Sequence, residues 1–317
     1  MLPDDWLSRL RLPLIAAPML HVSGPELVAA ACASGVIGAF PTANCRGDGE
    51  LANWISRIRD SLGELDTKGT VAPFAANLIV RSPRAAEHLR VLLQARVELV
   101  ITSVGSPRQF VGPLHDIGCR VFADVATLVH ARKAVADGAD GLVLLCAGAG
   151  GQTGWVSPFA FVRAVREFFD GPIVVAGGLA DGQALWAVRA LGADLGYMGT
   201  RFIATPESLA PEAHKKMIVE AGFEDIVLSS VFTGLPANWL RASLVTAGLN
   251  PDELDPKVVQ ADTNQSPGAS HKSRPWSERL SAGHSVAGVH EVLPVRELVE
   301  KLGGEYAAAQ GSSLRLR

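Results

Sequence analysis

With 317 residues, 48% of them hydrophobic and 19% charged, the chain can bury a sizeable core, which excludes an intrinsically disordered protein. The 29 Lys and Arg against 32 Asp and Glu leave a net charge of -3, which offers no basic field for a nucleic acid. No apolar run approaches the ~18 residues of a membrane span, and Met1-Leu2-Pro3-Asp4-Asp5 lacks the basic start of a secretory signal, so a cytoplasmic protein is expected.

Short apolar or β-branched runs begin near Leu12, Gly35, Thr70, Val97, Arg120, Asp140, Pro172 and Asp194. Helical spacing fills the gaps: Phe161, Val162, Val165, Phe168 and Phe169 recur at i, i+1, i+4, i+7 and i+8, and Leu185, Val188 and Leu191 repeat the pattern. Gly138-Ala139-Asp140 and Gly192-Ala193-Asp194 each end a helix and open a strand, the glycine taking the left-handed turn. Val143-Leu144-Leu145 and Ile173-Val174-Val175 are unbroken, as parallel strands buried on both faces require. Eight such units predict an α/β fold, a (β/α)8 TIM barrel over residues 1–220, with a doubly wound open sheet as the alternative.

After residue 220 the rhythm stops. Residues 226–232 and 239–249 read as apolar helical material, and the apolar returns at 276–280 and 292–302 as two closing helices. Between them, residues 256–273 are polar around Asn264-Gln265-Ser266-Pro267-Gly268, the composition of an exposed loop or lid. Residues 221–317 are therefore expected to form a smaller, mostly helical C-terminal cap or substrate domain.

In a barrel, chemistry sits in the loops after the strands. Those positions hold Ala17-Pro18-Met19-Leu20-His21, Pro41-Thr42-Ala43-Asn44-Cys45, Asn77, Thr102-Ser103 and Asp124 after the first five strands. The sixth is followed by Gly148-Ala149-Gly150-Gly151-Gln152-Thr153-Gly154, the seventh ends in Ala176-Gly177-Gly178 and the eighth in Met198-Gly199-Thr200. Paired glycine loops after the last two strands let backbone N–H groups approach a phosphate, with Thr200 as a hydroxyl donor; tight βα turns are the plainer reading. The sixth loop is neither GxGxxG nor a Walker A loop. His21 is a candidate acid–base at the barrel mouth, whereas Asp124 reads more readily as a structural carboxylate. Cys32, Cys45, Cys119 and Cys146 are too scattered for a zinc site or a disulfide framework.

Taken in order, Ala17-Pro18-Met19, Asn77, Ala149-Gly150-Gly151-Gln152-Thr153-Gly154, Ala176-Gly177-Gly178-Leu179 and Tyr197-Met198-Gly199-Thr200-Arg201-Phe202 resemble the nitronate monooxygenase family, formerly 2-nitropropane dioxygenases. Phe232-Thr233-Gly234 and Ser281-Ala282-Gly283-His284 continue the resemblance. It implies an FMN-containing barrel oxidising alkyl nitronates with O2. Ala17, Pro18, Met19, Asn77 and Asp124 would lie along the flavin, and Ala149, Gly150, Gly151 and Gln152 would approach it from the sixth loop. Ala176, Gly177, Gly178, Met198, Gly199 and Thr200 would hold its phosphate end. Many family members carry a histidine, the proposed base, where this chain has Gln152. A glutamine cannot take a proton near neutral pH, so Gln152 is expected to orient an already deprotonated nitronate, and His21 is the candidate replacement base.

Relatives within the resemblance make an NAD(P)H-dependent quinone or enoyl reductase the alternative, with a small-molecule substrate and a homodimer as the expected partners. From another class, a flavin-free phosphate-binding isomerase or lyase could use the same loops, but no lysine stands at any strand end to form a Schiff base.

Overall fold

The structure is a computed structural model and describes residues 2–65, 70–254 and 279–313. Eight parallel strands close into a barrel: β1 (Leu14–Ala16), β2 (Ile37–Pro41), β3 (Phe74–Ile79), β4 (Leu99–Ser103), β5 (Arg120–Val125), β6 (Gly141–Leu145), β8 (Ile173–Ala176) and β9 (Leu195–Met198). The seam closes where β1 meets β9, with Ile15 opposite Tyr197 and Ala16 opposite Met198. All eight lie where the apolar runs fall, and the barrel, not the open sheet, is formed.

Helices α2 (Pro25–Ala33), α3 (Glu50–Leu65), α4 (Ala85–Ala95), α5 (Arg108–Asp116), α6 (Leu128–Ala136), α7 (Pro158–Arg166) and α8 (Gly182–Leu191) sheathe the strands. Local chemistry sets their ends. Thr127 and Asp181 accept the N–H groups of His130 and Ala184 as N-caps, and Gly192 closes α8 at φ 113°. The short α1 (Asp4–Arg9) plugs the lower end of the barrel, with Trp6 6.4 Å from the Phe122 ring.

Strand alternation sorts the interior. Ala75, Ile101, Phe122, Val143 and Leu195 fill the buried lower barrel. Two residues further along each strand, Asn77, Ser103, Asp124, Leu145 and Tyr197 form the next layer up. That layer is the floor of the candidate site.

Beyond β9 come α9 (Thr200–Ile203) and α10 (Glu212–Glu220), then a strand pair, β10 (Ile226–Ser229) and β11 (Ala237–Leu240), where helical material was expected. Burial alternates along Ile226, Val227, Leu228 and Ser229, and Trp239 is fully buried edge-on to Phe232 at 5.3 Å. In runs this short, apolar spacing does not separate helix from strand. β11 also pairs with β7 (Gly151–Gln152), a two-residue strand in the loop after β6. After α11 (Arg241–Thr246), α12 (Val295–Ser313) turns Val295, Leu298, Val299 and Leu302 into the barrel's helical layer beside α8 and α2. The polar stretch 256–273 lies outside the described residues. No helix among those described is long and apolar enough to cross a membrane.

Candidate functional site

A cavity of about 400 Å³ opens at the C-terminal ends of the barrel strands, within the range of small-molecule and cofactor sites. Of the sequence-derived candidates, Ala17, Pro18, Met19, His21, Asn77, Asp124, Ala149, Gly150, Gly151, Gln152, Ala176, Gly177, Gly178, Gly199 and Thr200 all line it. Met198 does not. Its neighbour Tyr197 points inward, so alternation turns Met198 out into the helical layer, where it is 1% exposed. Its carbonyl instead accepts the Ala17 N–H and fixes the end of β1 against β9.

The loop after β1 is pinned from within. Asn44 donates to the carbonyls of Met19 and Ser23 and accepts the His21 N–H at 2.9 Å, while Ser23 Oγ accepts from the Met19 N–H at 3.0 Å. His21 is held at φ 61°, a left-handed conformation rare outside glycine. Its ring faces Arg46, whose Nη2 lies 3.1 Å from Nδ1. A guanidinium can only donate, so the facing imidazole nitrogen accepts.

Asn77 spends its amide in the barrel wall. Its Nδ2 donates to Ile101 O at 3.0 Å and to Ser103 Oγ at 3.1 Å, which orients the side chain and leaves Oδ1 as the acceptor for a ligand.

The loop after β6 is the most constrained segment. Thr153 Oγ1 donates to Cys146 O, Asn238 Nδ2 donates to Ala149 O at 2.7 Å, and the His284 N–H donates to Gly148 O at 2.9 Å. A side chain at Gly283 would come within 2.5 Å of Gly148 O and 2.7 Å of Gly150 N, so this turn and the loop lie backbone against backbone. Gln152, on β7 opposite Ala237, faces the cavity from this loop. His284 backs the loop from outside, with an exposed side chain, and does not line the cavity.

At the other end, Gly177 and Gly178 take φ 124° and 73°, and nothing lies within 4 Å of where a Gly178 Cβ would stand. Thr200 Oγ1 accepts the Gly283 N–H at 3.0 Å, so its own O–H remains a donor. The open space at Gly178, beside Gly177 and a buried hydroxyl, suits a terminal phosphate, and the Asn77 acceptor suits the polar edge of a flavin ring. The residues fit FMN.

Sequence reasoning named Ser103 only as a strand end and Tyr197, Ser281 and Ala282 only within the resemblance, and it missed His214 and Leu280; all of them line the cavity. Strict alternation along β4 and β9 would have found Ser103 and Tyr197; nothing in the sequence signals that α10 brings His214 to a barrel mouth. His214 Nε2 lies 3.1 Å from Ser281 O, and since a carbonyl only accepts, Nε2 carries the proton. Its Nδ1 is buried with no partner among the described residues, and burial pushes the pKa below the usual histidine value. Asp124, half-buried in the floor with Oδ1 shielded and unpartnered among the described residues, is pushed up by burial to about 7. The Tyr197 phenol is likewise buried and unpartnered, and is raised well above its ordinary value by burial and by the Asp124 charge. The Cys146 thiol, at the end of β6, is pushed up to about 12 by burial and is no nucleophile.

Residues 84–305 match the sequence profile of the nitronate monooxygenase family. The chain belongs to that family. A Mycobacterium tuberculosis relative, (3aS,4S,5R,7aS)-5-hydroxy-7a-methyl-1-oxo-octahydro-1H-indene-4-carboxyl-CoA dehydrogenase, is 29% identical over 236 residues, which are 74% of this chain and 64% of that protein. The nitronate monooxygenase of Paraburkholderia phytofirmans is 25% identical over 346 residues, covering 92% of both chains. Among solved structures, the nitroalkane oxidase of Streptomyces ansochromogenes superposes with a TM-score of 0.76 at 26% identity, covering 98% of this chain and 99% of that one.

Proposed function

We propose that this family member is an FMN-dependent oxidoreductase that oxidises alkyl nitronates with O2. The observation that carries the reading is the cavity itself, with Gly177, Gly178 and Thr200 at one end and the Gln152 amide, not a base, in its wall. The backbone N–H groups of Gly177, Gly178 and Gly199 and the Thr200 hydroxyl would hold the FMN phosphate, and Asn77 Oδ1 would accept from the ring. Pro18, Met19 and the 149–151 backbone would flank that ring. When bound, FMN supplies the electron transfer and the reaction with O2. The chain binds and orients the substrate: Gln152 Nε2 donates to the nitronate oxygens, while its Oε1 is far too weak a base to take a carbon-bound proton.

A positioned base contributes about 10²–10⁴-fold to such a deprotonation. The test therefore compares pre-formed nitronate with neutral nitroalkane for wild type, Gln152→His and His21→Ala across about pH 6 to 9. Wild type should act on nitronates about 10²-fold or more faster, and Gln152→His should gain nitroalkane activity with a histidine-like pH profile. Equal rates on the two forms refute the reading.

A second reading is an NAD(P)H-dependent reductase of quinone or enoyl compounds; the relative named as a carboxyl-CoA dehydrogenase supports redox chemistry on a substrate other than a nitronate. Fast anaerobic bleaching of the flavin by NADH or NADPH, with no nitronate turnover, selects it. A colourless protein that takes up no FMN selects the flavin-free isomerase or lyase. A cytoplasmic homodimer completes the proposal.

A further inference from the structure

The barrel floor contains two polar groups that the proposed reaction leaves unused. Phe122 and Leu195 fill the lower barrel with hydrocarbon, and one layer up the same strands carry Asp124 and Tyr197. Asp124 Oδ1 and Tyr197 Oη are both cut off from solvent, and neither has a hydrogen-bond partner among the described residues. They are close enough for the carboxylate charge to act on the phenol. Buried polar atoms are almost always paired, so two orphans in one layer call for an explanation.

No counter-ion offers one. Among the described residues, the other titratable side chains lining the cavity are His21 at its mouth and His214 on α10, and no Lys, Arg or Glu lines it. His214 is kept neutral by burial. From the flanking strands, Asp124 stands opposite Val143 on β6, and Ser103 on β4 follows the Thr102–Ala123 pair; neither is ionisable near neutral pH. An ionised Asp124 would be an anion in the cavity floor with no countercharge among the described residues, whereas a protonated one is a neutral donor.

We propose that Asp124, together with Tyr197, forms a proton-holding floor beneath the cofactor site, whose neutral acid form favours FMN and whose anionic form opposes it. The inference rests on the FMN reading and deepens it. Loading the anionic cofactor would then take up a proton, and affinity would fall as pH rises through the Asp124 titration. Tyr197 provides a hydroxyl within electrostatic reach that can turn to donate when the carboxyl ionises, which tempers that loss.

Two measurements test this. In the flavin-free chain, the carboxyl carbon of Asp124, assigned by its loss in Asp124→Asn, is titrated by NMR. It should titrate close to neutrality, and Tyr197→Phe should move its midpoint higher. FMN affinity is then measured by fluorescence quenching from about pH 5.5 to about pH 8.5 for wild type and Asp124→Asn. The two should bind alike at the acid end, and wild type about tenfold more weakly at the alkaline end, a difference that cannot come from the FMN phosphate because both proteins meet the same FMN. A carboxyl that ionises below about pH 5 overturns the proton-holding role whether or not flavin binds. A near-neutral titration with parallel affinity curves overturns the coupling alone. A chain that takes up no FMN at any pH overturns the FMN reading and the coupling with it, while the carboxyl titration still reports the state of the floor. If Asp124→Asn fails to fold, the wild-type affinity curve and Tyr197→Phe, whose affinity should begin to fall at a higher pH in step with its raised carboxyl midpoint, make the same decision.

Discussion

Replacing Gly283 with alanine tests whether the turn at residues 281–284 clamps the loop after β6. Gly283 sits at φ −100°, ψ 178°, a conformation any residue adopts, so the substitution carries no backbone strain of its own. What it adds is a methyl group 2.5 Å from Gly148 O and 2.7 Å from Gly150 N. These are backbone atoms that no side-chain rotation can move, so the turn and the loop must part. Overpacking of this kind costs about 1–3 kcal/mol. Parting also strains two hydrogen bonds, Gly283 N–H to Thr200 Oγ1 and His284 N–H to Gly148 O, each contributing about 1 kcal/mol. The total is about 3–5 kcal/mol. At about 2.1 cal/mol/K per residue, the unfolding entropy of 317 residues is about 0.7 kcal/mol/K, so Tm should fall by about 4–7 °C. Because both bonds bear on the cradle, retained FMN should fall as well. The control is Gly304→Ala, inside α12 with nothing within 4 Å of the new carbon, which should gain about 0.5–1 kcal/mol. A Gly283→Ala protein melting within about 1 °C of wild type, with its FMN content unchanged, would refute the clamp.

Asn77→Ala leaves the Ile101 carbonyl and the Ser103 hydroxyl without their donor and removes the Oδ1 acceptor, so FMN affinity measured by fluorescence quenching should drop about tenfold or more. All four cysteines are buried, with burial raising each thiol to about 12, so a thiol reagent should label none in the native protein and all four after denaturation. Asp124 is held at about 7 against an ordinary 3.8, so between those values the folded chain keeps a proton that the unfolded chain has released. Its contribution to stability is complete below about pH 4 and is lost as pH rises to about 7, a matter of a few kcal/mol. Denaturant midpoints of wild type and Asp124→Asn should therefore differ in slope over that window, and parallel profiles would exclude it.

The barrel was legible because each of its signals is local. Unbroken apolar runs mark strands covered on both faces, and glycines at 138 and 192 mark helix ends whatever lies around them. The glycine and glutamine positions of the site were legible for the same reason, since a loop that follows a strand must emerge at the mouth. Two kinds of information were not. The strand pair at 226–229 and 237–240 looked helical because four-residue apolar runs carry no usable period, and what decides them is pairing with Gly151 and Gln152 some 85 residues earlier. His214 reaches the cavity only because α9 and α10 fold back over the mouth. Asp124 was read as a structural carboxylate from its place at a strand end; that its Oδ1 has no partner is a property of the whole floor, and no single segment records it.

The helix that completes the barrel after β9 is α12, separated from that strand in sequence by α9, α10 and the β10–β11 pair. It closes against α8 so tightly that a side chain at Gly182 would strike Leu302 O at 2.2 Å, and Glu305 accepts the Gly182 N–H at 2.9 Å. The segment over the mouth is thus spliced into the last βα unit rather than hung on a finished barrel. During synthesis the flank formed by α2 and α8 stays unsealed, with Leu27, Ala31 and Leu185 uncovered, until residues 295–302 leave the ribosome. A nascent chain arrested after residue 220 would therefore expose apolar surface and invite chaperone capture, and the catalytic mouth would come into being in the same event that seals the barrel.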